Sequence, residues 1–236
     1  MKAAPLQLLQ AMFRKVRASL QDRPLIVGVD RLDYSKGLEE RFNGYARFLR
    51  DHPERHRKVV LTQIAPPSRG DVESYQQIRA TLDSLAGRIN GEFSDVDWTP
   101  IRYVNQGYPR DELAGIYRAA KIGLVTPLRD GMNLVAKEYV AAQDPKDPGV
   151  LILSRFAGAA MQLKDALLIN PYSPEEMSDA ILRALAMPLD ERQRRWRAMM
   201  DSVEQQDIRW WREVFTGRLM AVERAPAPAE TEDAPG

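Results

Sequence analysis

The chain contains no cysteine and only two histidines among its 236 residues. The absence of cysteine excludes disulfide bonds and thiolate chemistry, and the scarcity of histidine argues against a histidine-rich metal site. His52 and His56 lie in a polar stretch before a predicted strand, where we expect both to be solvated. No apolar run approaches the length of a bilayer span, and residues 1–20 lack the apolar core of a signal peptide. A cytoplasmic protein without membrane contact is therefore expected.

The chain also lacks an excess of either charge, with 34 Lys and Arg against 33 Asp and Glu. This balance argues against a general nucleic-acid binder and requires any basic site to be local. Hydrophobic residues make up 44% of the sequence, enough for one large domain or two small ones. The last residues, 225–236, are mostly Ala, Pro, Glu and Asp and predict a disordered tail.

Short apolar runs alternate with helical patterns through most of the chain, which predicts a doubly wound, mostly parallel, Rossmann-like α/β sheet. The predicted strands cover residues 25–30, 58–65, 101–106, 121–126, 150–154 and 166–170. The predicted helices between and after them cover residues 37–51, 71–88, 110–120, 133–143 and 173–187. Amphipathic spacing predicts a further helix over residues 5–21, and residues 191–224 predict one or two helices that carry tryptophans. Ligands of such sheets bind beyond the carboxyl ends of the strands.

Two cations, Arg31 and Lys36, lie in the loop that follows the first predicted strand. A guanidinium and an ammonium can together bind a diphosphate and neutralise charge on a departing phosphate. The alternative, two ordinary solvated cations, is favoured when this loop is taken alone.

A second loop, residues 126–133, leads from a predicted strand through an Asp130-Gly131 turn into a helix. The free N–H groups of the first helical turn form an anion site, and Glu138 can accept two hydrogen bonds from a vicinal diol such as a ribose. Asp130 can accept from sugar hydroxyls. The alternative is a simple turn with Asn133 as the helix N-cap.

Two more residues follow predicted strands. Arg69 would face the same crevice as the two cations, or would be an ordinary surface arginine before a helix. Tyr108 could border a planar base, although packing against the protein is the simpler interpretation.

Several strings of this sequence resemble the trehalose-phosphate synthase family, retaining GT-B glucosyltransferases of family 20. The resemblance covers residues 24–220 and is carried by Val-Asp-Arg-Leu-Asp-Tyr-Ser-Lys-Gly-Leu at 29–38, Thr-Gln-Ile-Ala-Pro-Pro-Ser-Arg-Gly-Asp-Val at 62–72, Thr-Pro-Leu-Arg-Asp-Gly-Met-Asn-Leu-Val-Ala-Lys-Glu-Tyr at 126–139 and Phe-Ala-Gly-Ala-Ala at 156–160. The resemblance implies the carboxyl-terminal, donor-binding domain of a GT-B enzyme. It divides the chain into a linking helix (1–23), a nucleotide-sugar-binding domain (24–190), carboxyl-terminal helices (191–224) and a tail (225–236).

The resemblance also implies roles for single residues. Arg31 and Lys36 would bind the donor diphosphate and act in catalysis, and Arg69 would contact the acceptor phosphate. Ile64 and Tyr108 would border the uracil, and Glu138 would bind the ribose. The remaining donor contacts would come from the turn and the helix after it, through Asp130, Gly131, Met132, Asn133, Leu134, Val135, Ala136 and Lys137.

The implied reaction transfers glucose from UDP-glucose to glucose 6-phosphate, gives trehalose 6-phosphate and UDP, and needs no metal or other cofactor. The family has an amino-terminal domain that this sequence lacks, so we expect the chain alone to transfer little glucose unless that domain is supplied in cis or in trans. An apolar patch left by the lost partner would favour homo-oligomers. Three alternatives stay open: a related glucosylglycerol-phosphate synthase or pseudoglycosyltransferase, a non-catalytic nucleotide-sugar-binding subunit, and a protein kept only for its fold, against which the intact set of Arg31, Lys36, Asp130 and Glu138 argues.

Overall fold

The computed structural model describes residues 3–67 and 73–223. A six-stranded sheet forms the centre of this part of the chain. Its strands are β1 (Leu25–Val29), β2 (Val60–Ile64), β3 (Ile101–Val104), β4 (Ile122–Val125), β5 (Val150–Ser154) and β6 (Leu167–Ile169). They pair in the order β3-β2-β1-β4-β5-β6, and every pair is parallel. The predicted Rossmann-like sheet is therefore confirmed.

The strand sequences fit this central position. All five residues of β1 and of β5 are buried, because helices cover both faces of the sheet. The strand order reverses between β1 and β4. Five residue pairs join β1 to β2, whereas two join β1 to β4, at Ile26↔Ile122 and Val27↔Gly123. The crevice beyond the carboxyl ends of β1 and β4 is thus the topological switch point, where ligands bind in folds of this kind.

Helices form a layer on each side of the sheet. They are α1 (Ala3–Leu20), α2 (Leu38–Asp51), α3 (Glu73–Phe93), α4 (Arg110–Ala119), α5 (Leu134–Ala142), α6 (Pro174–Ala186), α7 (Leu189–Gln205) and α8 (Ile208–Glu223). One layer contains α1, α4, α5 and α7, which contact one another in that order. In the other layer, α2 contacts both α3 and α6.

Two predictions about the segments around β2 were inaccurate. The helix predicted to end at residue 88 runs to Phe93, because Ile89 is fully buried and the Asn90 side chain bonds both the N–H and the carbonyl of Ile101. His56 is not a freely solvated side chain. Its Nε2 lies 2.8 Å from the Leu49 carbonyl, and its ring contacts the rings of Phe93 and Trp98.

The tryptophans of the carboxyl-terminal helices differ in their surroundings. Trp196 of α7 is buried, and its indole N–H donates to the Val140 carbonyl at 2.9 Å. Trp211 and Phe215 of α8 stack on each other and are about half exposed. In residues 3–67 and 73–223, no helix combines the length and hydropathy needed to cross a bilayer. The predicted disordered tail, 225–236, lies outside the described residues.

Candidate functional site

The loop after β1 is built by local hydrogen bonds. The Asp33 carboxylate accepts from the backbone N–H of Ser35 at 2.9 Å and from its hydroxyl at 2.7 Å, and so begins a short 3-10 helix, Tyr34–Lys36. Gly37 follows with φ +62°, a conformation that favours glycine. A Cβ at Gly37 would lie 2.1 Å from the carbonyl oxygen of Thr126. Glycine therefore lets this loop lie directly against the end of β4.

The loop after β4 is organised around Asp130. Its carboxylate accepts from the Met132 N–H at 3.3 Å and from the Asn133 side-chain amide at 3.2 Å. The Asn133 side chain in turn accepts from the Ala136 N–H and caps α5, which is the N-cap role that the simple-turn alternative assigned to it. Asn133 is buried, and its side chain bonds both Asp130 and the first turn of α5. It therefore fixes the turn relative to the helix.

The two loops meet at the switch point. Lys36 Nζ lies 2.6 Å from Asp130 Oδ2, and the two side chains are only 17% and 15% exposed. A second link runs from the Leu128 N–H to the Ser35 carbonyl at 2.8 Å. Burial raises the pKa of Asp130, but the hydrogen bonds from Lys36 and the Met132 N–H outweigh it and hold this pKa below its ordinary value. The Asp130 carboxylate is therefore kept ionised.

Arg31 contrasts with Lys36. Its side chain is exposed, and among the described residues it has no hydrogen bond or ion pair. Lys36 uses one of its three N–H donors on Asp130, so two are left for a ligand. Two cations that can both turn toward an anion therefore flank one end of the switch-point crevice.

A third loop, residues 155–160, supports the Asp130 turn and was not singled out in the sequence as a separate site element. The Gly158 N–H donates to the Asp130 carbonyl at 2.9 Å, and the Ala159 N–H donates to the Met132 carbonyl at 2.7 Å. A Cβ at Gly158 would lie 2.1 Å from the Gly131 carbonyl oxygen. The sequence signal for this contact is the small-residue run Ala157-Gly-Ala-Ala160 after a strand, which permits close backbone approach.

Ile64 and Tyr108 line the same small cavity. It has a volume of about 170 Å³ and is bordered by the ends of β2 and β3 and by α1. Ile64 is buried, whereas Tyr108 is half buried, so the tyrosine lies nearer the surface. The structure thus brings together the two residues that the resemblance places beside a base.

Residues 3–221 match the family model described as Glycosyltransferase family 20. The chain belongs to this family. It is 53% identical over 208 residues to the trehalose-6-phosphate synthase of Sinorhizobium fredii, covering 88% of this chain and 45% of that protein.

Solved structures agree with this assignment. A Burkholderia xenovorans α,α-trehalose-phosphate synthase, solved with glucose 6-phosphate, is 50% identical with a TM-score of 0.87, over 92% of this chain and 49% of that one. An Escherichia coli structure with UDP-2-fluoro glucose bound is 49% identical with a TM-score of 0.85, over 91% and 49%. The chain spans about half the length of the relatives it matches.

The other predicted donor contacts of this family 20 chain lie on α5 or directly before it. Glu138 is half buried, and its nearest ion-pair partner among the described residues is Arg110 at 3.9 Å. Burial lowers the pKa of the Lys137 ammonium. Met132 and Leu134 expose about half of their side chains, while Val135 is half buried and Ala136 fully buried. Arg69 lies outside the described residues, and the predicted roles of all these positions stay predictions.

Proposed function

We propose that this family 20 chain is the donor-binding half of a retaining glucosyltransferase that uses UDP-glucose and glucose 6-phosphate. The observation that carries the proposal is the Lys36–Asp130 ion pair at the switch point, with Arg31 on the same loop. Relatives of about 50% identity support the substrates, because one was solved with glucose 6-phosphate and another with UDP-2-fluoro glucose. The products would be trehalose 6-phosphate and UDP.

The two cations would act on the leaving group. As the bond between glucose C1 and the β-phosphate oxygen breaks, negative charge grows on that phosphate. Arg31 and the two free donors of Lys36 would stabilise this charge more in the transition state than in the ground state. The acceptor oxygen would bond to C1 on the same face, and its proton would pass to the departing phosphate. The configuration at C1 would be retained.

The carboxylates would orient the donor. Asp130 is ionised and already accepts from Met132 and Asn133, so its remaining acceptor capacity suits sugar hydroxyls. Glu138, half buried on α5, would accept from both ribose hydroxyls once the exposed Arg110 turns away. The amino-terminal N–H groups of α5 would bind phosphate oxygens, because the positive end of a helix dipole favours anions.

The reaction would need more than the donor-binding side of the cleft, which is the side that this chain would supply. The relatives are about twice as long, and their additional part would supply most acceptor contacts and exclude water. We therefore propose that this chain binds UDP-glucose but transfers little glucose alone, with Arg69 contacting the acceptor phosphate in the complete enzyme. No metal or cofactor enters this scheme. A cytoplasmic location stays a prediction.

Calorimetric titration of the chain with UDP and with UDP-glucose tests the proposal. Binding of both is expected, and Lys36→Ala should weaken it by at least about tenfold because a phosphate ligand is lost. Arg50→Ala is the matched control. It also removes a cation from an ion pair, with Glu92 at 2.7 Å, but at the opposite end of α2. A folded chain that binds neither ligand would rule out the donor-binding role.

Turnover in a complete family 20 enzyme tests the catalytic role separately. The equivalent of Arg31→Ala or Lys36→Ala is expected to lower turnover by at least about a hundredfold, as for the loss of other transition-state donors. Near-normal turnover in either variant would show that the assigned residue does not stabilise the leaving group.

A further inference from the structure

Arg41 is a fully buried arginine in the first turn of α2, beneath the loop that carries Arg31 and Lys36. Its Nη1 lies 2.7 Å from both Asp30 Oδ2 and Gln63 Oε1, and its Nε donates to Thr126 Oγ1 at 3.0 Å. Asp30 and Thr126 directly follow β1 and β4, and Gln63 is the last residue but one of β2; these are three neighbouring strands of the sheet. One guanidinium therefore joins the carboxyl ends of three strands.

The same guanidinium is connected to both ends of the cationic loop, which we define as residues 30–37. Asp30 is the first residue of this loop and directly precedes Arg31. At the other end, the Thr126 hydroxyl that accepts from Arg41 donates to the Gly37 carbonyl at 3.0 Å, directly after Lys36. The endpoints of the loop are thus fixed relative to each other through Arg41 and Thr126.

Gly28 of β1 leaves the space that this guanidinium occupies. A Cβ at Gly28 of β1 would lie 2.4 Å from Gln63 Oε1 and 2.5 Å from Arg41 Nη1. Any residue larger than glycine at this strand position would displace the network. The close approach of a side chain to the strand backbone explains a glycine within a buried strand.

Fold stability alone is a weak explanation for the network. Removing two charges from water is costly, and buried ion pairs are often no more stabilising than apolar residues of the same volume. Burial raises the pKa of Asp30, and the charge of Arg41 opposes that rise, so the pair only partly offsets the cost of burial. Arg41 Nη2 also has no hydrogen-bond partner within the described part of the chain. What a planar guanidinium supplies, and an apolar side chain does not, is fixed geometry.

We propose that Arg41 is a positioning residue, which holds residues 30–37 so that Arg31 and Lys36 face the donor diphosphate. This inference rests on the proposed donor-binding role. Arg41 is fully buried and would touch no substrate atom, so its effect would pass through Asp30, Thr126 and Gly37. Binding that depends on two charged donors is sensitive to displacements of about 1 Å.

Thr126→Val tests the proposal with little change of shape. It removes the hydroxyl that accepts from Arg41 and donates to Gly37, while Asp30 and Gln63 still bind the guanidinium. We expect the affinity for UDP to fall by about tenfold and the affinity for uridine, measured by NMR titration, to stay within about twofold, because only the diphosphate meets the loop. Thr126→Ser, which restores the hydroxyl, should recover UDP binding.

Tyr139→Phe is the matched control. It also removes a buried hydroxyl, one that donates to the Ala120 carbonyl just before β4, at the amino-terminal ends of the strands, and should leave UDP binding unchanged. Unchanged UDP binding in folded Thr126→Val, or an equal loss for UDP and uridine, would overturn the positioning role. If the unmodified chain binds no UDP, the failure lies instead with the proposed donor-binding function.

Discussion

Replacement of Gly37 by alanine is expected to destabilise the folded chain. Two costs add. The left-handed backbone at φ +62° costs a residue with a Cβ about 1–2 kcal/mol. The new Cβ would also lie 2.1 Å from the Thr126 carbonyl oxygen, and such overpacking costs about 1–3 kcal/mol. Together the free energy of unfolding should fall by roughly 2–5 kcal/mol.

Thermal and urea unfolding followed by circular dichroism would measure this change. For a chain of this size, each kcal/mol lost from the free energy of unfolding lowers Tm by about 2–4 °C, so Tm should fall by roughly 4–20 °C. UDP affinity should fall as well, because the loop must move away from Thr126. Gly87→Ala is the control. Gly87 lies inside α3 with no neighbour within 4 Å of the added Cβ, so alanine should stabilise by about 0.5–1 kcal/mol. Equal stability of Gly37→Ala and the unmodified chain would refute the reasoning.

Two further predictions concern the Asp130 turn. Gly158→Ala would place a Cβ 2.1 Å from the Gly131 carbonyl oxygen and shift the turn. Calorimetry should therefore show a larger loss of affinity for UDP-glucose than for UDP. Equal losses of affinity would contradict a role of the turn in binding glucose. Lys36→Met should weaken the pH dependence of stability that Asp130 confers. Because Lys36 holds the pKa of Asp130 below its ordinary value of 3.8, the resulting stability is present above that pH and lost as the pH falls through the lowered pKa. The stability difference between the unmodified chain and Lys36→Met in urea should therefore shrink from pH 6 to pH 3, and a constant difference would argue against the coupling.

The sheet could be predicted from the sequence because its signal is local. A buried parallel strand is a short run of Val, Ile and Leu between turn residues, and all six predicted strands form. Their carboxyl ends then locate the loops that follow β1 and β4. Helix ends were less predictable, as the extension of α3 to Phe93 shows, because that extension depends on Asn90 meeting the distant Ile101.

The contacts within the site depend on the tertiary fold and were not predictable in the same way. Lys36 and Asp130 were each singled out, but they are 94 residues apart and no local pattern reports their ion pair. Arg41 was missed altogether. In the amphipathic pattern of α2 a charged residue suggests a solvated position, since arginine is almost never fully buried without a partner. Its partners Asp30 and Thr126 lie on strand ends that only the folded sheet brings together.

The short pairing between β1 and β4 has a mechanical consequence. Two residue pairs join β1 to β4, against five between β1 and β2. Little backbone pairing therefore holds the two halves of the sheet together at this boundary, which we call the seam. Side chains and loop amides reinforce it at one edge, through Lys36 with Asp130 and Thr126 with Gly37. A diphosphate bound across those loops would act as a clamp on the seam. Ligand binding would then also stabilise the pairing of β1 with β4.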